Sequence, residues 1–494
     1  MAVAGLIIGL VLAGCSDAAV RVQRSDPTPT EPTSTTGPTS TSLPGTSLPG
    51  TSPPDPVATA DGLGDPLFPA LGNPGIDVQH YDVRLAYDPA LDAVEATVVI
   101  SLLATLDLTE FTLDSTTPDV SAVTVNGTPA EFTEESPELR VTPAEPIASG
   151  ESVEVSVTYS VDPAPIHSPV GLENGWFDTP GGSYVLNEPD GARNWLPSND
   201  HPSDKATYRF EVTVPAGLTA VANGELVSHT TGEAGDTWVW EESRPMATYL
   251  IQLLTGDYEL VEGTGPNGLP LLSAVLRSDL TTMQPYLDTI DEQIDFFDDL
   301  FGPYPLDAYG IAMSDSFPGL AMETQGRSLF SRDDFSSGSL DGYQQLLLSH
   351  ELAHQWFGDA VSPAQWDDIW LNESFATYGE WLWLEHVGMG TVDSAAATAL
   401  QNRRPGVTGD PTVGEMFGFN SYDGGAVVLH ALRQTIGDEA FFTLLRRWVA
   451  ENNGTSRSTA DLIALANEVA GTDLTGFFDE WLFAANTPSS FPTR

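Results

Sequence analysis

The chain has 494 residues and sets 18 basic side chains against 70 acidic ones, a formal net charge of −52. That balance leaves no basic face for a phosphate backbone or an anionic lipid surface, which excludes nucleic acid as a partner and electrostatic docking on membranes. Hydrophobic residues make up 41% of the chain, which excludes a wholly disordered acidic protein, and Cys15 as the only cysteine excludes intrachain disulfides and multi-thiolate zinc sites.

At roughly 150 residues per domain, the length predicts two to four domains. Ala2 to Ala13 is an unbroken apolar or small-residue run, too short for a spanning helix of roughly 20 residues. It ends in Leu12-Ala13-Gly14-Cys15, which resembles a bacterial lipobox. The resemblance implies cleavage before Cys15 and a lipid on its thiol, although no Lys or Arg precedes Cys15 in the given sequence. Ser, Thr and Pro dominate from about Ser16 to Pro56, with Thr41 to Gly45 repeated as Thr46 to Gly50. Such composition cannot bury a core and behaves as an extended tether. The expected organisation is a signal peptide over 1–14, a tether over 15–60 and folded sequence from Asp61. The protein is then expected outside the cell or facing the periplasm, touching the membrane through the anchor alone.

Residues 61–256 read as all-β. Tyr81 to Leu85 and Val153 to Val157 alternate apolar and polar side chains, the pattern of strands with one buried face. Asn126-Gly127 after Val123-Thr124-Val125 predicts a tight hairpin. Residues 257–487 read as mainly helical with a small sheet, and 488–494 as a tail. Helices are predicted over Tyr286 to Leu300, Gln344 to Phe357, Ile369 to His386, Gly425 to Thr435 and Ala460 to Val469. Strand-like runs lie at Leu271 to Leu276 and Tyr309 to Met313.

His350-Glu351-Leu352-Ala353-His354 lies inside the second of these helices. Positions i and i+4 share a helix face, so both imidazoles can address one ion, and Glu351 can reach a metal-bound water as a base. A catalytic zinc site needs a third protein ligand and an open position. Glu373 follows His354 after a gap of 18 residues, and a helix, a turn and a second antiparallel helix could bring it to the same ion.

With these motifs the chain resembles the aminopeptidase N family of zinc metallopeptidases, which includes leukotriene hydrolase. The pattern of His350, Glu351, His354 and Glu373 is flanked by Gln355 to Asp359 and Trp370-Leu371-Asn372, both similar to the family's. Phe301 to Pro305, Glu188-Pro189, Ala192-Arg193, Asn199 to Pro202 and Pro245 to Tyr249 add further matches in the family's order. The resemblance implies an N-terminal all-β saddle or sandwich domain followed by a thermolysin-like, mainly helical zinc peptidase domain. It implies one Zn2+ on His350, His354 and Glu373, with Glu351 activating water and Tyr422 stabilising the oxyanion. It also implies that Glu323 and Glu188 bind the α-amine of a peptide with a free N-terminus. The chain departs from the family at Leu320 (usually Gly), Thr324 (usually Asn), Ser374 (usually Gly) and Gly424 (usually Lys). His201, His386 and His430 are expected only to pack or to be solvated, and Asp359 or Asp368 to orient the imidazoles.

The expected activity is removal of N-terminal residues from peptides. One rival is a thermolysin-type endopeptidase, against which Glu323 and Glu188 argue. Another is a noncatalytic peptide-binding surface lipoprotein, against which the complete catalytic set argues. Epoxide hydrolysis, as in the leukotriene branch, has no residue specifically in its favour.

Overall fold

The computed structural model describes residues 57–58, 62–91 and 93–493. Cys15, the expected signal peptide and nearly all of the tether therefore lie outside the described residues. The exception is Val57–Ala58, which composition placed in the tether and which pairs in parallel with the strand Leu108–Asp114.

The first region is built on an eight-stranded sheet. At its centre Ile76–Asp88 pairs with Ala93–Ala104 on one side and with Lys205–Val214 on the other. Lys205–Val214 alternates between buried and half-buried at every residue, as period-two patterning requires. Asn126 and Gly127 both take positive φ and close the predicted hairpin between Val125 and Thr128. A five-stranded sheet stacks beside it, with Gly182–Leu186 as its middle strand. Val83, Val98, Val157 and Phe210 fill the core between the layers.

The second region holds nine helices among the described residues: α1 (Leu280–Leu287), α2 (Ile290–Phe301), α3 (Gly342–His354), α4 (Trp370–His386), α5 (Val392–Asn402), α6 (Gly425–Ile436), α7 (Asp438–Asn452), α8 (Thr459–Ala470) and α9 (Thr475–Trp481). The helix expected over Tyr286 to Leu300 is two: Leu287 ends α1, and a break at Asp288-Thr289 precedes α2. Ile290, Ile294 and Phe297 lie on the buried face of α2. A five-stranded sheet accompanies the helices, and Ala321–Met322 is its edge strand, paired antiparallel with Ser328–Ser331.

Caps fix the ends of the helices that matter here. Asp341 accepts from the Tyr343 N–H at the start of α3, and Ser458 and Asp461 form a reciprocal capping box on α8. Helices α3 and α4 run antiparallel, since His354 neighbours Glu373 while Gln345 accepts from Trp383 Nε1 at 2.6 Å. Their close approach depends on Gly379, where a Cβ would fall 2.9 Å from the Cβ of Ala353.

The two regions are joined by buried polar ties. Arg327 lies in the interior and donates to the carbonyls of Ala222 (2.8 Å) and Leu272 (2.7 Å) and to Gln252 Oε1 (3.1 Å), with its guanidinium over the Trp240 ring. A guanidinium buried without such partners would be strongly destabilising. Tyr249 Oη donates to the Gly358 carbonyl at 3.1 Å and accepts from Asn372 Nδ2 at 3.1 Å. Lys205 Nζ donates to the carbonyls of Asp359 (2.6 Å) and Ala360 (3.4 Å), and burial pushes its ammonium down to about 7. Lys205, at the start of a strand of the eight-stranded sheet, and Tyr249 hold the β region against the segment that follows α3.

Candidate active site

Four elements converge. Helix α3 carries His350, Glu351 and His354, and α4 carries Glu373. Glu323 follows the edge strand Ala321–Met322, and Glu188 follows the middle strand Gly182–Leu186 of the β region. Tyr422 sits on a π-helical turn, Asn420–Gly424, that leads into α6. Turns of this kind are rare and often found at functional sites.

The donor atoms of His350, His354 and Glu373 form a small triangle. His350 Nε2 and His354 Nε2 are 3.0 Å apart, and Glu373 Oε2 lies 3.3 Å from the first and 3.4 Å from the second. A tetrahedral ion with bonds of about 2.0–2.1 Å would space its ligands by about 3.3 Å. The outer nitrogens fix the tautomers. His354 Nδ1 is 3.0 Å from the Phe357 carbonyl, which can only accept, so that nitrogen holds the proton. His350 Nδ1 is 2.6 Å from Glu380 Oε1, which holds a proton there as well. Two neutral imidazoles so oriented aim both Nε2 lone pairs at one point beside a carboxylate. The donor set fits a zinc ion, and N/O ligands of this kind are what zinc takes.

Glu351 completes a second cluster, its carboxylate within 4.8 Å of donor atoms of Glu323 and His354. Burial raises Glu351 to about 8, with Glu323 and Glu373 adding to the rise. Burial also acts on Glu373, but the neighbouring His350 and His354 outweigh it and hold that carboxyl at about 2. Burial raises Glu188 well above the carboxylate range, helped by the charges of Glu323 and Glu373; burial also raises Glu323, opposed by His354. Glu188 Oε1 and Glu323 Oε1 are buried without a hydrogen-bond partner among the described residues. The cluster is thus rich in carboxylates, which favours a metal dication and an ammonium group.

Tyr422 Oη donates to Glu373 Oε1 at 2.8 Å, and its ring lies nearly parallel to that of His350, centroids 6.0 Å apart. Gln355 anchors the edge segment, donating to the Glu323 carbonyl at 3.2 Å and accepting from the Gly326 N–H at 2.8 Å. Asn187 anchors the strand end before Glu188, donating to the Ile251 carbonyl at 2.9 Å and accepting from Trp195 Nε1 at 2.9 Å.

All seven site residues expected from the sequence, His350, Glu351, His354, Glu373, Tyr422, Glu323 and Glu188, therefore meet in one place, while Cys15 lies outside the described residues. Neither Asp359 nor Asp368 orients an imidazole. Asp368 Oδ1 accepts from the Thr459 N–H at 2.9 Å, and both Asp359 oxygens are buried without a hydrogen-bond partner. The orienting groups are Glu380 and the Phe357 carbonyl. Glu380 was missed, although its place seven residues after Glu373 puts it on the same face of α4. Leu320 is buried in the β-region core, and Thr324 Oγ1 donates to the Arg327 carbonyl at 2.5 Å, so both departures at the edge strand are absorbed by local packing. His201 pairs with Ser203 Oγ, His386 packs on Phe296, and His430 packs on Phe491, all away from the site.

Residues 286–481 match the Peptidase family M1 domain, and residues 77–250 match the Peptidase M1 N-terminal domain. Aminopeptidase N of Lactococcus lactis subsp. lactis is 30% identical over 59% of this chain and 37% of its own length. A probable M1 family aminopeptidase of Encephalitozoon cuniculi is 27% identical over 61% of this chain and 38% of its own length. The chain spans about two fifths of the length of such curated relatives. Among solved structures, a mutant two-domain M1 zinc metallopeptidase bound to L-tryptophan superposes with a TM-score of 0.80 at 32% identity, covering 88% of this chain and 100% of that one. The M1 zinc metallopeptidase of Deinococcus radiodurans gives 0.78 at 31% identity, with the same coverage.

Proposed function

The chain belongs to the M1 peptidase family, and we propose that it is a zinc-dependent aminopeptidase that hydrolyses the first peptide bond of substrates with a free N-terminus. The observation that carries this reading is the juxtaposition of the His350–His354–Glu373 triangle with two buried glutamate oxygens that accept no hydrogen bond among the described residues, on Glu188 and Glu323. A triangle alone supports peptide hydrolysis of any kind. The two extra carboxylates support recognition of an α-ammonium, a group that only the first residue of a peptide carries.

His350, His354 and Glu373 would hold a zinc ion, which would supply Lewis acidity toward a carbonyl and lower the pKa of water from about 15.7 toward roughly 7. Glu323 and Glu188 hold the ammonium and so place the first peptide bond beside Glu351. Glu351 takes a proton from the attacking water and delivers one to the leaving amine. The Tyr422 hydroxyl donates to the carbonyl oxygen as it gains negative charge, a contribution commonly worth about 3 kcal/mol. Glu380 and the Phe357 carbonyl keep the two imidazoles in the tautomer that the metal needs.

The test is a panel of aminoacyl chromogenic substrates, each in free and N-acetylated form, with and without a chelator. Activity on the free forms that chelation abolishes and acetylation blocks is the expected result. Equal cleavage of blocked peptides at internal bonds would overturn the exopeptidase reading in favour of an endopeptidase.

The lipobox-like segment supports placing the enzyme outside the cell or facing the periplasm, tethered through Cys15. No helix among the described residues is long and apolar enough to cross a membrane. Metabolic labelling with a radioactive fatty acid, lost on Cys15→Ser, is the expected outcome, and an unlabelled parent protein would overturn the anchor.

A further inference from the structure

Ser374 is fully buried and directly follows Glu373 on α4. Its Oγ donates to the carbonyl of Ser421 at 2.6 Å, and Ser421 directly precedes Tyr422. Room for that hydroxyl exists because residue 425 is glycine: a Cβ there would fall 1.7 Å from Ser374 Oγ. On the other side of the turn, Arg403 Nη1 donates to the Gly424 carbonyl at 2.8 Å, and Nη2 donates to Thr408 Oγ1 at 2.7 Å. The turn itself is wide, with the Gly424 N–H bonded to the Phe419 carbonyl five residues back. Such a turn breaks the regular ladder of helical bonds, and a buried carbonyl in it needs another donor.

We infer that Ser374 is a positioning residue for Tyr422, a latch that ties the turn bearing the tyrosine to the helix bearing the third metal ligand. Among the described residues, the tyrosine's side-chain hydrogen bond runs to Glu373 Oε1. To donate to a substrate oxygen the hydroxyl has to leave that carboxylate. At that moment the backbone bonds from Ser374 and Arg403 are what hold the turn in register. The family's usual glycine at position 374 has no hydroxyl, so the tie belongs to this chain. The inference rests on the reading of Tyr422 as the oxyanion donor.

The test is a double-mutant cycle on the full chain: parent, Ser374→Ala, Tyr422→Phe and the double variant, each checked for zinc content and melting temperature before kcat and KM are measured. Ser374→Ala is expected to keep its zinc and its KM and to lose kcat about tenfold, the scale on which small misplacements act. In the Tyr422→Phe background the same change is expected to cost nothing more. Gly425→Ala, which pushes the hydroxyl aside, is expected to reproduce the kcat loss. A 3-fluorotyrosine placed at 422 is expected to give one sharp 19F resonance in the parent and a shifted or broadened one in Ser374→Ala. An unchanged kcat in Ser374→Ala, or the same loss repeated on top of Tyr422→Phe, would overturn the latch. Full kcat in Tyr422→Phe alone would instead overturn the role given to the tyrosine.

Discussion

Glu380 Oε1 lies 2.6 Å from His350 Nδ1, and the two side chains face each other from antiparallel helices. The carboxylate fixes the imidazole's tautomer and rotation and raises its basicity as a ligand. Glu380→Ala is expected to weaken zinc binding by about 10- to 100-fold, read by competition with a chromogenic chelator on the folded protein. An affinity equal to the parent's would show that the Phe357 carbonyl and packing are sufficient.

Glu351 makes no contribution to the metal triangle, and its carboxylate sits among Glu323 and His354. Glu351→Gln keeps the shape and removes the base. The variant should bind zinc at parent stoichiometry while kcat falls by a factor on the order of 10² to 10⁴, the usual range for a general base. Turnover at the parent rate would sink the assignment.

The amine anchors should separate from the hydrolytic groups in kinetics. Glu323→Gln removes the charge beside an orphan oxygen, and Glu188→Gln does the same from the β region. A hydrogen bond to a charged group is worth about 1.5–3 kcal/mol, so kcat/KM on free-amine substrates should fall about 10- to 100-fold in each variant. Zinc content should not change. If kcat/KM stays level in both, the ammonium is bound elsewhere.

Stability should depend on pH through buried carboxyls remote from the metal triangle. Burial raises Glu242 from 4.5 to about 7, and nearby Asp307 adds to it; burial likewise raises Asp114 to about 7 and Asp200 to about 6. A carboxyl raised in the folded state binds protons more tightly folded than unfolded. Its stabilising contribution is complete below the unfolded value and is lost as pH climbs through the folded one. Chemical denaturation should therefore give a stability that falls between pH 5 and pH 8. Glu242→Gln, which keeps an acceptor for the Arg244 N–H, should flatten that fall by on the order of 1–3 kcal/mol. A parent stability that rises over this range would contradict the burial argument.

Legibility in the sequence followed the range of the interaction. Period-two alternation in Tyr81 to Leu85 and in Val153 to Val157 and the Asn126-Gly127 turn are local, and all read correctly. The i, i+4 histidine pair and the later glutamate also read directly, because a helix and its return are simple geometry. The break at Asp288-Thr289 did not, since the apolar spacing runs on through it. Glu380 and Ser374 were harder for another reason. Each acts through a partner on a different element, His350 on α3 and Ser421 on the turn before α6, and neither pairing leaves a periodic trace in the chain. Asp359 misled because an acidic residue close to a metal motif looks like an orienting group, yet its carboxylate has no imidazole to bond.

The chain's single lysine also makes it a reporter of its own opening. Lys205 begins a strand paired on both sides, with Ala247 opposite it and His80 opposite Thr207, and its ammonium is bonded to carbonyls of the second region. A lysine-specific protease has one peptide bond to cut, and cannot thread it through an active site while that strand stays paired. Cleavage by such a protease should therefore count the moments when the two regions part and the sheet loosens. One band becoming two on a gel would time that event.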